Sequence, residues 1–128
     1  MPYVYIVIGL AVAQFFYFGL MVGKARAMYK VPAPAMTGNE VFERYFRVQM
    51  NTLELLAMFI PSILLYSAYL RPTVAAAVGA VYLVGRMIYL YAYVKNPKSR
   101  SKGFITSILP IIVLWVGGMF GAIRAAVS

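Results

Sequence analysis

Arg47, Asn51 and Glu54 are spaced i, i+4, i+7, which puts them on one face of a helix. Arg44, three residues before Arg47, adjoins that face. At about 1.5 Å of rise per residue, Glu54 lies roughly 10 Å further along the axis than Arg47. The face therefore carries a cation at its mouth and an anion below. Arg86, Tyr89 and Tyr93 form a second such face at i, i+3, i+7, with Arg100 a few residues beyond. Arginine forks bind carboxylates bidentately, and a glutamate pairs with an amine. Together the two faces suit a small zwitterionic ligand with more than one carboxylate. Plainer readings exist for each set. The first could pair internally and hold helices together. Tyr89 and Tyr93 could belong to an aromatic belt at a membrane interface, the reading we take for Tyr91, Tyr3 and Tyr5.

The residues that are absent narrow the chemistry. The chain has no cysteine and no histidine. That removes disulfides, a thiol nucleophile, the commonest metal ligand and the commonest general base. The carboxylates are Glu40, Glu43 and Glu54 alone, too few for a carboxylate metal cage or a glycosidase-type acid pair. No metal site is expected.

The elements that hold these faces are membrane helices. Of 128 residues, 63% are apolar and 12% charged, with a mean hydropathy of +0.80. A soluble fold of this size leaves much of its surface exposed and could not hide so much apolar area. The net charge of +9 has no soluble basic domain to carry it, so nucleic acid is not an expected partner. A bilayer core needs about 20 apolar residues of helix. Four spans fit, at about 3–23, 41–70, 73–94 and 104–123, forming one domain over 1–128. The first lacks a basic leader and reads as a retained helix. Pro61 is expected to kink the second span, and Arg71-Pro72 ends it. Asn96-Pro97 can break the chain before Arg100.

The expected fold is all-α, an integral membrane four-helix bundle of up-down topology. Basic residues cluster in loops 24–40 and 95–103. The positive-inside rule puts both on the cytoplasmic side and both termini on the opposite side. Gly117 with Gly121, and Ala75 with Gly79, are small-xxx-small pairs suited to close helix contacts.

The stretch from Gly38 to Glu54 (GNEVFERYFRVQMNTLE) resembles the signature of the membrane-associated proteins in eicosanoid and glutathione metabolism (MAPEG). The shared elements are Phe42-Glu43-Arg44, then Arg47, Asn51 and Glu54 at fixed spacing. Arg26 and the proline-containing run before Thr37-Gly38 also look similar. So do Arg86, Tyr89, Tyr93 and Arg100 after them. The resemblance covers nearly the whole chain and is strongest to microsomal glutathione transferases. It implies a homotrimer with glutathione between neighbouring subunits. It also implies that Arg47, Gln49, Asn51 and Glu54 bind glutathione, with Glu54 on the γ-glutamyl amine. Tyr89 and Tyr93 would complete the pocket, and Arg26 would reach it from a neighbouring subunit. Arg100 matches the arginine that contacts the thiol.

The implied activity is conjugation of glutathione to lipophilic electrophiles, with reduction of lipid hydroperoxides as a second use of the same thiolate. Leu55 and Ala27 stand where the leukotriene-forming branch has a tyrosine and a second arginine, which argues against leukotriene synthesis. A non-catalytic lipid-binding adaptor of the same fold is the main alternative. A transporter subunit is a third.

Overall fold

The computed structural model describes residues 1–128. Four long helices follow one another: α1 (Pro2–Met28), α2 (Glu40–Tyr69), α3 (Pro72–Lys95) and α4 (Ser101–Val127). A single 3-10 turn, Pro97–Ser99, joins α3 to α4. All four are long and apolar enough to cross a membrane. The protein is an all-α bundle of the expected up-down order. α2 and α3 pack against each other, and each also packs against both α1 and α4.

Each boundary has a local cause. Pro2 and Pro72 stand at the first turns of α1 and α3, where the missing N–H costs nothing. α1 stops where Lys30 turns to φ 55°, and the Val31 N–H reaches back to Arg26 O at 3.0 Å. The Asn39 side chain caps α2 by accepting from Phe42 N at 3.0 Å. Asn96 ends α3, and its Oδ1 then accepts from Lys98 N at 3.1 Å to start the turn. The break expected at Asn96-Pro97 is therefore present.

α1, α3 and α4 extend past the expected spans, α1 and α4 by several residues, and α2 is shifted by one residue. Lys24 and Arg26 lie in the last turns of α1 rather than in a loop, and of that loop's basic residues only Lys30 lies beyond the helix. α2 continues through Pro61, which is exposed, to Tyr69.

The main core is apolar and runs through the middle of the bundle. Val4, Val7, Leu55, Phe59, Ile63 and Leu114 belong to it. Phe59 and Tyr82 stack within it at 4.0 Å. Glycines let the helices approach. A Cβ at Gly85 would stand 2.7 Å from the backbone of Thr106 and Ser107, and one at Gly118 would stand 2.9 Å from Tyr66 N. The expected pairs take part as well: Gly117 and Gly121 meet Tyr66 and Tyr69, and Gly79 meets Val7, Phe59 and Ile63.

Candidate functional site

The chain ends of α1 and α3 and the starts of α2 and α4 lie at one end of the bundle. The Arg44 Nη1 group marks this by donating to Val94 O at 2.9 Å. A cleft of about 430 Å³ opens there, inside the range of roughly 300–1,000 Å³ usual for small-molecule sites. α2 contributes Arg47, Met50, Asn51 and Glu54 to its wall. α3 contributes Tyr89 and Tyr93, and Arg100 comes from the residue between the turn and α4. Six of the eight residues expected to form the site thus line one cleft. Arg47, Glu54 and Arg100 are exposed, Asn51 and Tyr93 half-buried, and Tyr89 buried. The two tyrosine rings stack at 5.5 Å.

Arg100 reaches the cleft because of the break. The turn at Pro97–Ser99 reverses the chain after Tyr93, and Ser99 Oγ ties it down by donating to Ala92 O at 2.9 Å. Ser101, Phe104 and Ile105 extend the wall from the first turns of α4. Neither these three nor Met50 of α2 is among the residues expected from the sequence. Arg100 and Phe104 are four residues apart, as are Ser101 and Ile105, so two adjoining i, i+4 rows form this wall, which was the available signal.

Gln49 and Arg26 do not line this cleft. Gln49 points towards α1, where a Cβ on Gly19 would lie 3.1 Å from its Nε2. Arg26 holds its own loop. Its Nη1 contacts Val31 O, Pro32 O and Ala35 O at 3.4, 3.1 and 2.9 Å, and its guanidinium lies 4.7 Å over the Phe42 ring. Arg44, which adjoins the polar face in sequence, turns to α3 and to Glu40, with which it forms an ion pair at 2.9 Å. It too is outside the cleft. Tyr91 is exposed on the outer surface, as a belt residue would be.

Beneath the cleft lies Arg86, which is fully buried. Its Nε donates to Ser107 Oγ at 2.9 Å, and its Nη1 donates to Asn51 Oδ1 at 2.7 Å and to Thr52 Oγ1 at 3.2 Å. Its guanidinium carbon sits 4.4 Å over the Tyr89 ring. Ser107 Oγ in turn donates to Gly103 O at 2.6 Å. α2, α3 and α4 are joined under the site by this one side chain. No group of three or more acidic, histidine or cysteine side chains converges to hold a metal.

The family profile of MAPEG matches residues 4–120, nearly the whole chain. The chain belongs to the MAPEG family. It is 39% identical to human microsomal glutathione S-transferase 2 over 112 residues, covering 88% of this chain and 76% of that protein. An uncharacterised protein of Synechocystis sp. is 49% identical over 98 residues, 77% of this chain and 72% of its own. Guinea pig leukotriene C4 synthase is 34% identical over 84 residues, 66% of this chain and 56% of its own. For a MAPEG protein, the cleft between α2, α3 and the start of α4 is the polar opening at one end of an otherwise apolar bundle.

Proposed function

We propose that this MAPEG protein is a membrane-bound glutathione transferase that conjugates glutathione to lipophilic electrophiles. The observation that carries this reading is the convergence of Arg47, Asn51, Glu54, Tyr89, Tyr93 and Arg100 on one cleft. The relatives named as microsomal glutathione S-transferases support it. Glutathione has two carboxylates, one amine and one thiol. Arg47 takes a carboxylate, Asn51 and the tyrosines supply further hydrogen bonds, and Glu54 takes the γ-glutamyl amine. Met50, Phe104 and Ile105 give the cleft an apolar wall for the acceptor, which enters from the bilayer.

Arg100 activates the thiol. A cysteine thiol has a pKa of about 8.5 and is mostly protonated at neutral pH, while the thiolate is the nucleophile. A guanidinium within about 4–6 Å lowers such a pKa by about 1–3 units. The thiolate then attacks the electrophilic carbon. A C–S bond forms, and the leaving group departs with the displaced electron pair. The same thiolate can attack the outer oxygen of a lipid hydroperoxide. An S–O bond forms, the O–O bond breaks, and the lipid leaves as an alcohol after taking up a proton. A second glutathione converts the sulfenic acid to glutathione disulfide and water, so reduction of hydroperoxides is a side activity of this site. The functional unit is a homotrimer, in which Arg26 of one subunit reaches the cleft of the next.

The test is an absorbance scan near 240 nm on detergent-solubilised protein mixed with glutathione. A thiolate band grows at neutral pH and is lost in Arg100→Ala, while binding by calorimetry persists. An unchanged band in the variant would overturn the role of Arg100. Fatty-acid binding without glutathione binding would point instead to the adaptor.

A further inference from the structure

We propose that Arg86 is a positioning residue that fixes the Asn51 amide with its NH2 group towards the cleft, so that Asn51 meets glutathione as a hydrogen-bond donor to a carboxylate or carbonyl oxygen. The proposal rests on the glutathione reading above and deepens it.

A guanidinium has only donors and no acceptor. Only the oxygen of an asparagine amide can therefore face it, whichever way the amide could otherwise be drawn. Arg86 Nη1 donates to Asn51 Oδ1 at 2.7 Å. Arg86 cannot swing away. It is fully buried, its Nε is held by Ser107 Oγ at 2.9 Å, and its Nη1 is shared with Thr52 Oγ1 at 3.2 Å. Ser107 Oγ spends its own hydrogen on Gly103 O at 2.6 Å, so it meets Arg86 as an acceptor. The amide is thus fixed from below by three helices. Asn51 lines the cleft and makes no hydrogen bond through its nitrogen within the chain, which leaves that NH2 free for a ligand.

A tie between helices alone does not need this arrangement. A buried charge is expensive unless paired, and Arg86 has no carboxylate partner: the single ion pair of the chain joins Arg44 to Glu40. One of its terminal nitrogens, Nη2, is buried without any partner. Well-packed apolar side chains would join α2, α3 and α4 at lower cost. What they could not do is dictate which end of the Asn51 amide faces the cleft. The guanidinium also lies 4.4 Å over the Tyr89 ring, so one side chain sets both Asn51 and a wall of the site.

The experiment compares Asn51→Asp, Arg86→Leu and Arg86→Lys with the unaltered full-length protein, reconstituted in lipid. Glutathione affinity is read by calorimetry, and KM for each substrate by steady-state kinetics. Asn51→Asp keeps the acceptor that Arg86 needs and presents an acceptor in place of the donor. It should retain the fold and weaken glutathione by about tenfold or more, in line with one lost hydrogen bond to a charged group. Arg86→Leu should raise KM for glutathione by a similar factor and leave KM for the electrophile unchanged. Arg86→Lys should recover part of that loss, because an ammonium can still donate to Asn51 Oδ1. If Arg86→Leu does not fold, Asn51→Asp carries the test alone. Unaltered protein that binds glutathione, with Asn51→Asp binding it equally well, overturns this inference and leaves the transferase reading standing. Unaltered protein that binds no glutathione overturns both.

Discussion

Glu54 is the single carboxylate of the cleft, and it makes no ion pair within the chain. Its neighbours in the wall include Arg47 and Arg100, both exposed. An unpaired carboxylate among cations is a ready site for an ammonium group that brings its own carboxylate. A hydrogen bond to a charged group contributes about 1.5–3 kcal/mol, or roughly ten- to a hundredfold in affinity. Glu54→Gln should therefore weaken glutathione by that factor. The specific check is a glutathione analogue without the α-amino group. It should bind the unaltered protein more weakly than glutathione does, and the two ligands should be equal on Glu54→Gln. If the variant still prefers glutathione to the same extent, the amine is held elsewhere. Arg100 has a separate signature, in pH. On the proposed mechanism it stabilises the anionic form of the bound thiol, so the thiolate should persist to lower pH than in free glutathione. In Arg100→Ala the thiolate band should titrate about 1–3 pH units higher. A titration that does not move would remove Arg100 from the chemistry while leaving it in the wall.

At the scale of elements, the close crossing of α3 and α4 is what builds the cleft. Gly103 faces the backbone of Tyr89, and Gly85 faces that of Thr106 and Ser107. Any side chain at either position must push α4 off α3, and it would move Tyr89 or Ser107 with it. Gly103→Val and Gly85→Val should each cost about 1–3 kcal/mol, as overpacked cores do, and reduce glutathione binding together with the thermal midpoint in detergent. Gly9 gives the contrast, since nothing stands within 4 Å of a Cβ placed there. Gly9→Ala should stabilise by about 0.5–1 kcal/mol through helix propensity. A loss at Gly9 equal to that at Gly103 would mean that glycine content, not the crossing, governs stability. The sequence made part of this visible. Four apolar runs, the Pro and Asn breaks, and the i, i+4, i+7 face of α2 are local signals, and each run became one helix, with α1 and α4 extending several residues past theirs. The crossing at Gly85 and Gly103 is a pairing between helices, which periodicity along one helix does not encode. For the same reason Arg86 could be placed on a polar face, but not as the link between Asn51, Thr52 and Ser107. The orientations of Gln49 towards α1 and of Arg44 towards Val94 are set by neighbours in the same way.

On the scale of the whole molecule, the up-down order brings two basic segments to one end, the end where the cleft opens. Lys24, Arg26 and Lys30 come from the end of α1 and the turn after it, and Lys95, Lys98, Arg100 and Lys102 from the end of α3, the turn after it and the start of α4. The opposite end has Arg71 and Arg124. Translocating a short basic loop is unfavourable, so the cleft should open to the cytoplasm, where its water-soluble ligand would be drawn from the adjoining aqueous phase. The apolar exterior, with Phe16, Trp115 and Phe120 exposed on α1 and α4, would then lie against lipid or another subunit, and on the proposed function the lipophilic acceptor would arrive along it from the bilayer. One feature of the composition makes the orientation directly measurable. The chain has no cysteine, so a single introduced thiol is a unique label. Lys98 in the α3–α4 turn and Ser128 at the end of the chain are both exposed, and neither lines the cleft. In sealed right-side-out vesicles, a membrane-impermeant maleimide should label Ser128→Cys at once and Lys98→Cys only after permeabilisation. The reverse pattern would place the cleft outside, and glutathione would then have to be supplied from that side. Equal labelling of both sites before permeabilisation, in vesicles shown to be sealed, would mean that the chain inserts in both orientations.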